Sequence, residues 1–312
     1  MLVFSHADCL LHQPGYGHPE SPERLHAAWD ALAALNLPII DAPFAPESAL
    51  LNVHTQSHVR RMMALRNCTE LVAIDGDTRV SPGSIDAALR AAGAGLAALD
   101  AILAGAEQSA FCAVRPPGHH ATGNSAMGFC LFNSAAIVAA QALERGLTRV
   151  SVVDFDVHHG NGTQDIFWHE PRVQYVSSHQ SPLYPYSGAE REAGDTGNIV
   201  NAALPEGAGD AQFKRLWQTH LLPSLAAFAP ELIIISAGFD GHALDPLAGL
   251  NLTSSSFAWL TQALRAQANI SAKGKIISML EGGYSLSALR ECIGAHLHAL
   301  SEPSIFNTRI SS

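Results

Sequence analysis

Apolar residues fall into short continuous runs that alternate along the chain with longer stretches of helical spacing. The short runs predict strands over residues 111–114, 150–155, 173–177, 232–236 and 275–280. The longer stretches predict helices over 133–145, 210–228 and 253–269, and the Ala-rich segment 84–104 predicts a further helix interrupted by Gly93 and Gly95, whereas the Gly/Ser-rich segment 187–201 predicts a loop. Strands that are apolar at every position are usually buried on both faces. The pattern therefore predicts an α/β fold with a mostly parallel central sheet flanked by helices.

Polar motifs follow the predicted strands directly. They are RPPGHH (115–120), DVHHGNG (156–162), SSHQ (177–180), GFD (238–240) and EGGY (281–284). In open α/β sheets, ligands bind in the crevice beyond the carboxyl ends of the strands. We therefore expect these five segments to converge on one site, with loops 5–20 and 75–84 forming its rim.

The composition is that of a globular enzyme. The chain has 312 residues, of which 47% are hydrophobic and 15% charged, so it can build a large core. No linker separates the motifs, and we expect residues 1–312 to form a single domain. The formal net charge is −10 and no Lys/Arg-rich run is present, so direct binding of nucleic acid is not expected.

Neither the cysteines nor the N-terminus indicates export. The five cysteines are widely spaced and form no CxxC pair, which favours reduced thiols over disulfides or sulfur-ligated zinc. The N-terminus lacks the pattern of a signal peptide, and no apolar run approaches the roughly 18 residues of a membrane span. We therefore expect a cytoplasmic protein with no membrane partner, and we leave a homo-oligomer open.

Two acids and a histidine are candidate metal ligands. Asp156 and His158 are two residues apart at a predicted strand end, so in an extended segment both side chains would point the same way and could bind one ion. Asp240, which follows the run ELIIISAGF, is the natural third ligand. This donor set suits Zn²⁺, but Fe²⁺, Co²⁺ or Mn²⁺ could also occupy it. An isolated Asp-x-His would more often cap a helix, and the other motifs favour the metal site here.

The adjacent histidines His119 and His120 are candidates for acid/base chemistry. At least one should act as a general base, because imidazole titrates near neutral pH. Asp154 and Asn161 are their plausible orienting partners, and the phenol of Tyr284 could donate a hydrogen bond to an oxyanion. Lone histidines such as His296, in contrast, are expected to be ordinary hydrogen-bonded core residues.

The chain resembles the zinc-dependent histone deacetylase family, particularly its class II and bacterial histone deacetylase-like amidohydrolase members. The likeness is carried by HPESPER (18–24), VHTQSHV (53–59), DTRVSPGS (77–84), RPPGHHATGNSAMGFCLFN (115–133), VVDFDVHHGNGTQDIF (152–167), SAGFDGHALDPL (236–247), LTSSSF (252–257) and EGGY (281–284). It implies the arginase-deacetylase fold, with a parallel sheet of about eight strands. It also implies hydrolysis of an N-acyl amide on an extended amine side chain.

The resemblance assigns roles to the residues already singled out. It implies that Zn²⁺ is bound by Asp156, His158 and Asp240. It further implies that His120, paired with Asn161, is the base activating water. It implies that His119, paired with Asp154, is the electrostatic partner or acid helper of this base. The donor polarising the acyl carbonyl would be Tyr284. The division of roles between the two histidines stays open.

Further residues are assigned by resemblance alone. Phe129 and Tyr184 resemble the aromatic walls of an acyl-lysine channel to which Gly128 also belongs, although the second wall is more often Phe. Leu247 stands where the family places a rim gatekeeper. A structural K⁺ would be bound by the side chains of Asp154 and Ser177 and by the backbone carbonyls of Asp156, His158 and Ser178.

The leading hypothesis is metal-dependent removal of acetyl or related acyl groups from lysine side chains in peptides or proteins. A deacetylase acting on acetylpolyamines or other small amides is the alternative, but Leu247 offers no charge to an internal ammonium group, whereas polyamine-specific relatives carry an acid there. An arginase-like enzyme with two manganese ions would need further carboxylates after His158. A catalytically silent acyl-lysine binder would have no use for the two histidines and the phenol.

Overall fold

The computed structural model describes residues 1–301, and residues 302–312 of the expected single domain lie outside the described part. Its ten strands are β1 (Leu2–Ser5), β2 (Ile40–Asp41), β3 (Val72–Ala73), β4 (Arg79–Val80), β5 (Ser109–Cys112), β6 (Val150–Asp154), β7 (Val173–Gln180), β8 (Ile199–Leu204), β9 (Leu232–Ala237) and β10 (Ile276–Leu280). Eight of them form one parallel sheet in the order β2-β1-β5-β10-β9-β6-β7-β8. Strands β3 and β4 form a separate antiparallel pair.

Helices flank this sheet. They are α1 (Glu23–Ala34), α2 (Glu47–Leu50), α3 (Gln56–Ala64), α4 (Ser84–Leu103), α5 (Ser134–Glu144), α6 (Asn161–Phe167), α7 (Asp210–Leu216), α8 (Leu222–Phe228), α9 (Ser254–Ser271) and α10 (Leu286–Ser301). The predicted fold class, a single domain with a parallel sheet of about eight strands, is therefore confirmed. None of the helices among residues 1–301 combines the length and the apolar character that crossing a bilayer requires.

The five predicted strands are all present, as β5, β6, β7, β9 and β10, and every residue in them is buried. Five strands were not predicted: β1 is only four residues long, β2, β3 and β4 only two each, and β8 begins inside the segment predicted as a loop. The prediction of a loop over 187–201 is therefore wrong from Ile199 onward. The SSHQ motif also lies within β7 rather than after it.

The predicted interruption of the helix over residues 84–104 is wrong. Helix α4 continues without a break through Gly93 and Gly95. Instead, both glycines permit close packing, since a Cβ atom would overlap the backbone of Pro43 at Gly93 and the side chain of Val138 at Gly95. The predicted helix over 210–228 has the right extent but contains a π-helical turn, Trp217–Leu221, between α7 and α8.

The strand ends bring the polar motifs together. Asp154, at the end of β6, pairs in register with Ser236 of β9 on one side and with Ser177 of β7 on the other. On the far side of β9, Leu280 of β10 pairs with Ala237, so Glu281 follows at the same edge of the sheet. The predicted convergence of the motifs is therefore a consequence of strand register.

His296 in α10 is the expected buried, hydrogen-bonded histidine. Thr261 Oγ1 donates to Phe257 O at 2.7 Å, so it accepts from His296 Nδ1 at 2.6 Å, and His296 Nε2 then accepts from Ser278 Oγ at 2.8 Å. The ring is completely buried, and this burial lowers the pKa of His296 from 6.5 to about 3. Folding therefore favours the neutral ring.

We predict that His296 makes the protein less stable in acid. Between about pH 6.5 and about pH 3, the unfolded chain binds a proton at this position and the folded chain does not, so the free energy of unfolding falls as the pH falls, by up to about 1.4 kcal/mol per pH unit. Urea unfolding from pH 7 to pH 4 should give a shallower pH dependence for His296→Gln than for the wild type. Exposed His220→Gln is the control, and equal slopes for His296→Gln and the wild type would contradict this prediction.

Candidate active site

The three predicted metal ligands lie together at the ends of β6 and β9. The Nδ1 atom of His158 is 3.2 Å from Asp156 Oδ1 and 3.1 Å from Asp240 Oδ2. One ligand atom from each residue lies within 4.8 Å of the other two, and this is the only such group of three found among residues 1–301. The segment that carries Asp156 and His158 is a bend rather than the expected extended chain, because Asp156 Oδ1 accepts a hydrogen bond from the backbone N–H of His158 at 2.9 Å.

The surroundings of the two carboxylates suit a bound cation. Asp156 and Asp240 are buried, and the structure leaves no room for a side chain at Gly238 or Gly282, where a Cβ atom would overlap their oxygens. Burial, together with the negative charge of Asp156, raises the pKa of Asp240 to about 7. A divalent ion would neutralise this crowding. Two carboxylates and one imidazole are donors that Zn²⁺, Fe²⁺ and Co²⁺ all accept.

The paired histidines stand beside this group with different partners. His119 Nδ1 lies 3.0 Å from Asp154 Oδ2, which also accepts a hydrogen bond from the Tyr175 hydroxyl at 3.0 Å. His120 Nδ1 lies 2.8 Å from Asn161 Oδ1, and the two imidazole rings are 4.0 Å apart. An amide oxygen only accepts hydrogen bonds, so His120 Nδ1 carries the hydrogen and Nε2 keeps its lone pair.

These partners push the pKa values of the two histidines apart. Burial opposes the charged form of His119, but the carboxylates of Asp156 and Asp154 outweigh it and raise the pKa of His119 well above its usual value. Burial and the neighbouring His119 and His158 instead lower the pKa of His120 well below its usual value. The arrangement thus suits a neutral His120 that accepts a proton beside a cationic His119.

Glu281 is the first residue of the EGGY motif, and the sequence did not predict a role for it. Its Oε2 accepts hydrogen bonds from the backbone N–H groups of Gly118 at 2.6 Å and His119 at 3.2 Å, and its Oε1 accepts one from Ser236 Oγ at 3.2 Å. It therefore fixes the backbone at Gly118 and His119, directly before His120. An acid directly after a mostly apolar, buried strand was the available signal, because a carboxylate buried there needs donors.

Arg24 was also missed as a contributor to the site. It is completely buried and donates to Gly283 O from Nε at 2.7 Å and to Glu281 O from Nη2 at 2.5 Å. Its guanidinium lies 4.9 Å from the ring centroid of Tyr284, and Nη1 donates to buried Glu20 at 2.9 Å. Burial raises the pKa of Tyr284 well above its usual value, with Arg24 opposing only part of the rise, so the phenol keeps its proton and can donate a hydrogen bond.

A cavity of about 200 Å³ opens onto these groups. It is lined by Asp77, His120, Gly128, Phe129, His158, Leu183, Tyr184, Leu247 and Tyr284. All four residues assigned to the substrate channel are present, whereas Asp77 and Leu183 were not predicted to line it. The ring of Phe129 stands edge-on to Tyr284 at 5.8 Å, and that of Tyr184 edge-on to His120 at 5.2 Å.

Gly128 is required where the channel meets His120. Its φ angle is +54°, and a Cβ atom there would overlap the His120 ring. The neighbouring rim is closed by His18, whose ring lies 4.7 Å from that of Phe129 and whose Nε2 bonds Asp77 O at 2.9 Å. Residues of both loops predicted to form the rim therefore meet at the channel mouth.

The residues assigned to the K⁺ site lie on β6, on β7 and in the segment directly after β6 that also carries two candidate metal ligands. Asp154 and Ser177 are neighbours on β6 and β7. The Ser177 hydroxyl lies 3.0 Å from His179 Nδ1, and Ser178 Oγ accepts a hydrogen bond from Trp217 Nε1 at 3.1 Å. The binding of K⁺ by these residues stays a prediction.

Known proteins are similar to this chain over most of its length, including the residues of the site. A family model for the histone deacetylase domain matches residues 18–300. A histone deacetylase-like amidohydrolase from Pseudomonas aeruginosa is 40% identical over 294 residues, covering 91% of this chain and 77% of the relative. A probable deacetylase from Archaeoglobus fulgidus is 36% identical over 320 residues, covering 97% and 88%. The crystal structure of the HDA15 HD domain aligns with a TM-score of 0.90 at 35% identity, covering 97% of this chain and 88% of that one.

We predict that Asp240→Ala removes the metal. Loss of one of three protein ligands should lower the Zn²⁺ retained after loading and desalting from about one ion per chain to less than about a tenth of that, measured by elemental analysis. Asp210→Ala is the matched control, because Asp210 is a carboxylate at the start of α7 that bonds Thr253 and Ser256. Full metal content in Asp240→Ala would show that another residue is the third ligand.

Proposed function

Because this chain belongs to the histone deacetylase family, we propose that it hydrolyses acyl-lysine side chains, most readily acetyl-lysine, in peptides or proteins. The relatives it matches include a histone deacetylase-like amidohydrolase and a probable deacetylase. One observation carries the proposal: the candidate base His120, the candidate ligand His158 and the candidate oxyanion donor Tyr284 all line the same cavity. Groups for proton transfer, metal binding and oxyanion stabilisation can therefore act on one bound amide.

The walls of this cavity suit an extended amine side chain. Phe129 and Tyr184 place aromatic rings beside Tyr284 and His120, respectively, so a methylene chain could pass between apolar faces while its acyl end reaches the polar groups. A cavity with apolar walls and a few polar groups at its end favours a ligand that has an apolar stem and one polar end. An acylated lysine has this form.

The chemistry divides among the residues as follows. A divalent ion bound by Asp156, His158 and Asp240, with Zn²⁺ the cofactor implied by the family, would supply Lewis acidity toward the acyl oxygen and the attacking water. His120 takes a proton from this water as its oxygen attacks the acyl carbon. Tyr284 donates a hydrogen bond to the oxyanion that develops.

Collapse of the tetrahedral intermediate then breaks the C–N bond. The departing amine takes up a proton from the paired imidazoles, and the products are a carboxylate and a free lysine side chain. Asp154 and Asn161 hold His119 and His120 in place for both proton transfers. These hydrogen bonds fix which ring nitrogen faces the reaction, a condition for efficient general acid/base catalysis.

The surroundings of the cavity also bear on the substrate. Leu247 lines it where an acid would be needed to attract the internal ammonium of an acetylpolyamine. With a net charge of −10, the chain is poorly suited to bind nucleic acid directly, so acylated peptides or proteins are the proposed partners. We propose a cytoplasmic location, consistent with five cysteines that are all free.

We predict that Tyr284→Phe and His120→Ala each lower kcat by about 10²–10⁴-fold and change KM only a few-fold, because both groups act mainly in the transition state. Steady-state kinetics of the Zn²⁺-loaded protein on an acetyl-lysine peptide would show this split. Tyr186→Phe is the control, since Tyr186 is 82% exposed and outside the cavity. Unchanged turnover in either active-site variant would remove the role given to that residue.

We predict that the wild type prefers an acetyl-lysine peptide to acetylspermidine by at least about tenfold in kcat/KM. Leu247→Glu should raise the relative activity on acetylspermidine, because the new carboxylate can pair with an internal ammonium. Leu247→Gln, of the same shape without the charge, is the matched control. Equal wild-type values for the two substrates, or a preference for the polyamine, would contradict the proposed substrate class.

A further inference from the structure

Asp245 is a buried acid near the channel to which no role has been assigned. It is 8% exposed, and its carboxylate accepts hydrogen bonds from three backbone N–H groups. Oδ2 accepts from Tyr284 at 2.7 Å and from Ser285 at 3.2 Å, and Oδ1 accepts from Leu247 at 3.1 Å. One side chain thus binds the backbone on two sides of the cavity.

The position of this carboxylate at the start of a helix strengthens its hydrogen bonds to the backbone. Ser285 immediately precedes α10, a helix of 16 residues, so the carboxylate lies where the helix dipole and unpaired N–H groups favour negative charge. Asp245 therefore acts as a cap supplied from another part of the chain. The residue that the cap holds most tightly is Tyr284.

Arg24 binds the same segment through the opposite kind of backbone group. It donates to the carbonyls of Glu281 and Gly283, whereas Asp245 accepts from the N–H groups of Tyr284 and Ser285. The two adjacent glycines, at 282 and 283, would otherwise leave this segment with more backbone freedom than any other residue type allows. The location of the phenol therefore depends on these two side chains.

We propose that Asp245 is a positioning residue that fixes the Tyr284 phenol relative to the channel wall at Leu247 and thereby sets the rate of the reaction. The inference rests on the proposed function, since it requires Tyr284 to act as the oxyanion donor. Asp245 touches neither the substrate nor the reacting atoms. Its effect is carried by the backbone of Tyr284, and a small displacement of a catalytic group is enough to cost about 10²-fold in rate.

Asparagine is the informative substitution at position 245. It has nearly the same shape as aspartate, but one of its two terminal atoms is an NH₂ group, which cannot accept a hydrogen bond. Asp245→Asn must therefore release either Leu247 or the pair formed by Tyr284 and Ser285. The side-chain volume is unchanged, so a loss of activity would report on these bonds and not on packing.

A double-mutant cycle tests the inference. On an acetyl-lysine peptide, Asp245→Asn should lower kcat about 10–100-fold at unchanged Zn²⁺ content, but less than about threefold when Tyr284→Phe is already present, because the phenol through which it acts is gone. An equal loss in both backgrounds, or loss of Zn²⁺ from Asp245→Asn, would overturn the inference. If Asp245→Asn does not fold, Asp245→Glu, which keeps the charge at the start of α10, gives the same comparison.

Asp210→Asn is the matched control. The Asp210 carboxylate accepts hydrogen bonds from Thr253 N at 2.9 Å, Thr253 Oγ1 at 2.8 Å and Ser256 Oγ at 2.5 Å beside the start of α9, away from the cavity. This variant should lower the melting temperature and leave kcat unchanged. A similar fall in kcat would overturn the inference, because it would show that loss of stability alone explains the effect.

The outcomes separate this inference from the proposed function. If Tyr284→Phe lowers kcat but the effects of the two substitutions multiply independently, the role of Asp245 fails and the proposed function stands. If Tyr284→Phe leaves kcat unchanged, Tyr284 is not the oxyanion donor and the role of Asp245 fails, whereas hydrolysis of the peptide still supports the proposed function. If the Zn²⁺-loaded wild type does not hydrolyse the peptide, both fail.

Discussion

The burial of Asp156 and Asp240 beside each other is the constraint on which the rest of the site depends. Two carboxylates out of water are costly unless hydrogen bonds and positive charge compensate them. Backbone N–H groups supply part of this compensation, since Val157 bonds Asp240 at 2.9 Å and Gly282 bonds Asp156 at 2.8 Å. A bound cation would compensate the negative charge that these hydrogen bonds leave. The close approach of the Gly282 N–H to the carboxylates also explains the glycine there, since a Cβ atom would overlap their oxygens.

Buried charged groups that need hydrogen-bond partners also hold the loops that carry the catalytic groups. Glu281 binds the backbone N–H groups of Gly118 and His119, and Arg24 binds the segment that leads to Tyr284. Arg24 in turn pairs with Glu20, which also accepts two hydrogen bonds of 2.6 Å from Arg115. Because each of these groups is buried and charged, each is restricted to the few geometries that satisfy its partners. The polar groups of the site are therefore rigid although they lie on loops.

Much of this arrangement was predictable from the sequence, for physical reasons that also explain the failures. Strands such as β6 and β9 are mostly apolar and are buried at every position, which made them and the motifs that follow them easy to place. Strand β8 was missed because it begins inside the Gly/Ser-rich segment and its burial is interrupted at Val200 and Ala203. Glu281, Arg24 and Asp245 were missed as contributors because they act on backbone atoms, which every residue carries and which no residue pattern displays. The metal group was found because its residue types are themselves the signal.

The order of the strands has a consequence for how the protein is made. Strand β10 is the last of the strands among residues 1–301, yet it lies in the middle of the sheet between β5 and β9. A nascent polypeptide that still lacks residues 276–280 thus holds two half-sheets with open inner edges, and unpaired edges of this kind invite association with other chains. The central gap closes only after residues 276–280 have been synthesised. Chaperone protection during synthesis would therefore matter most before this strand inserts.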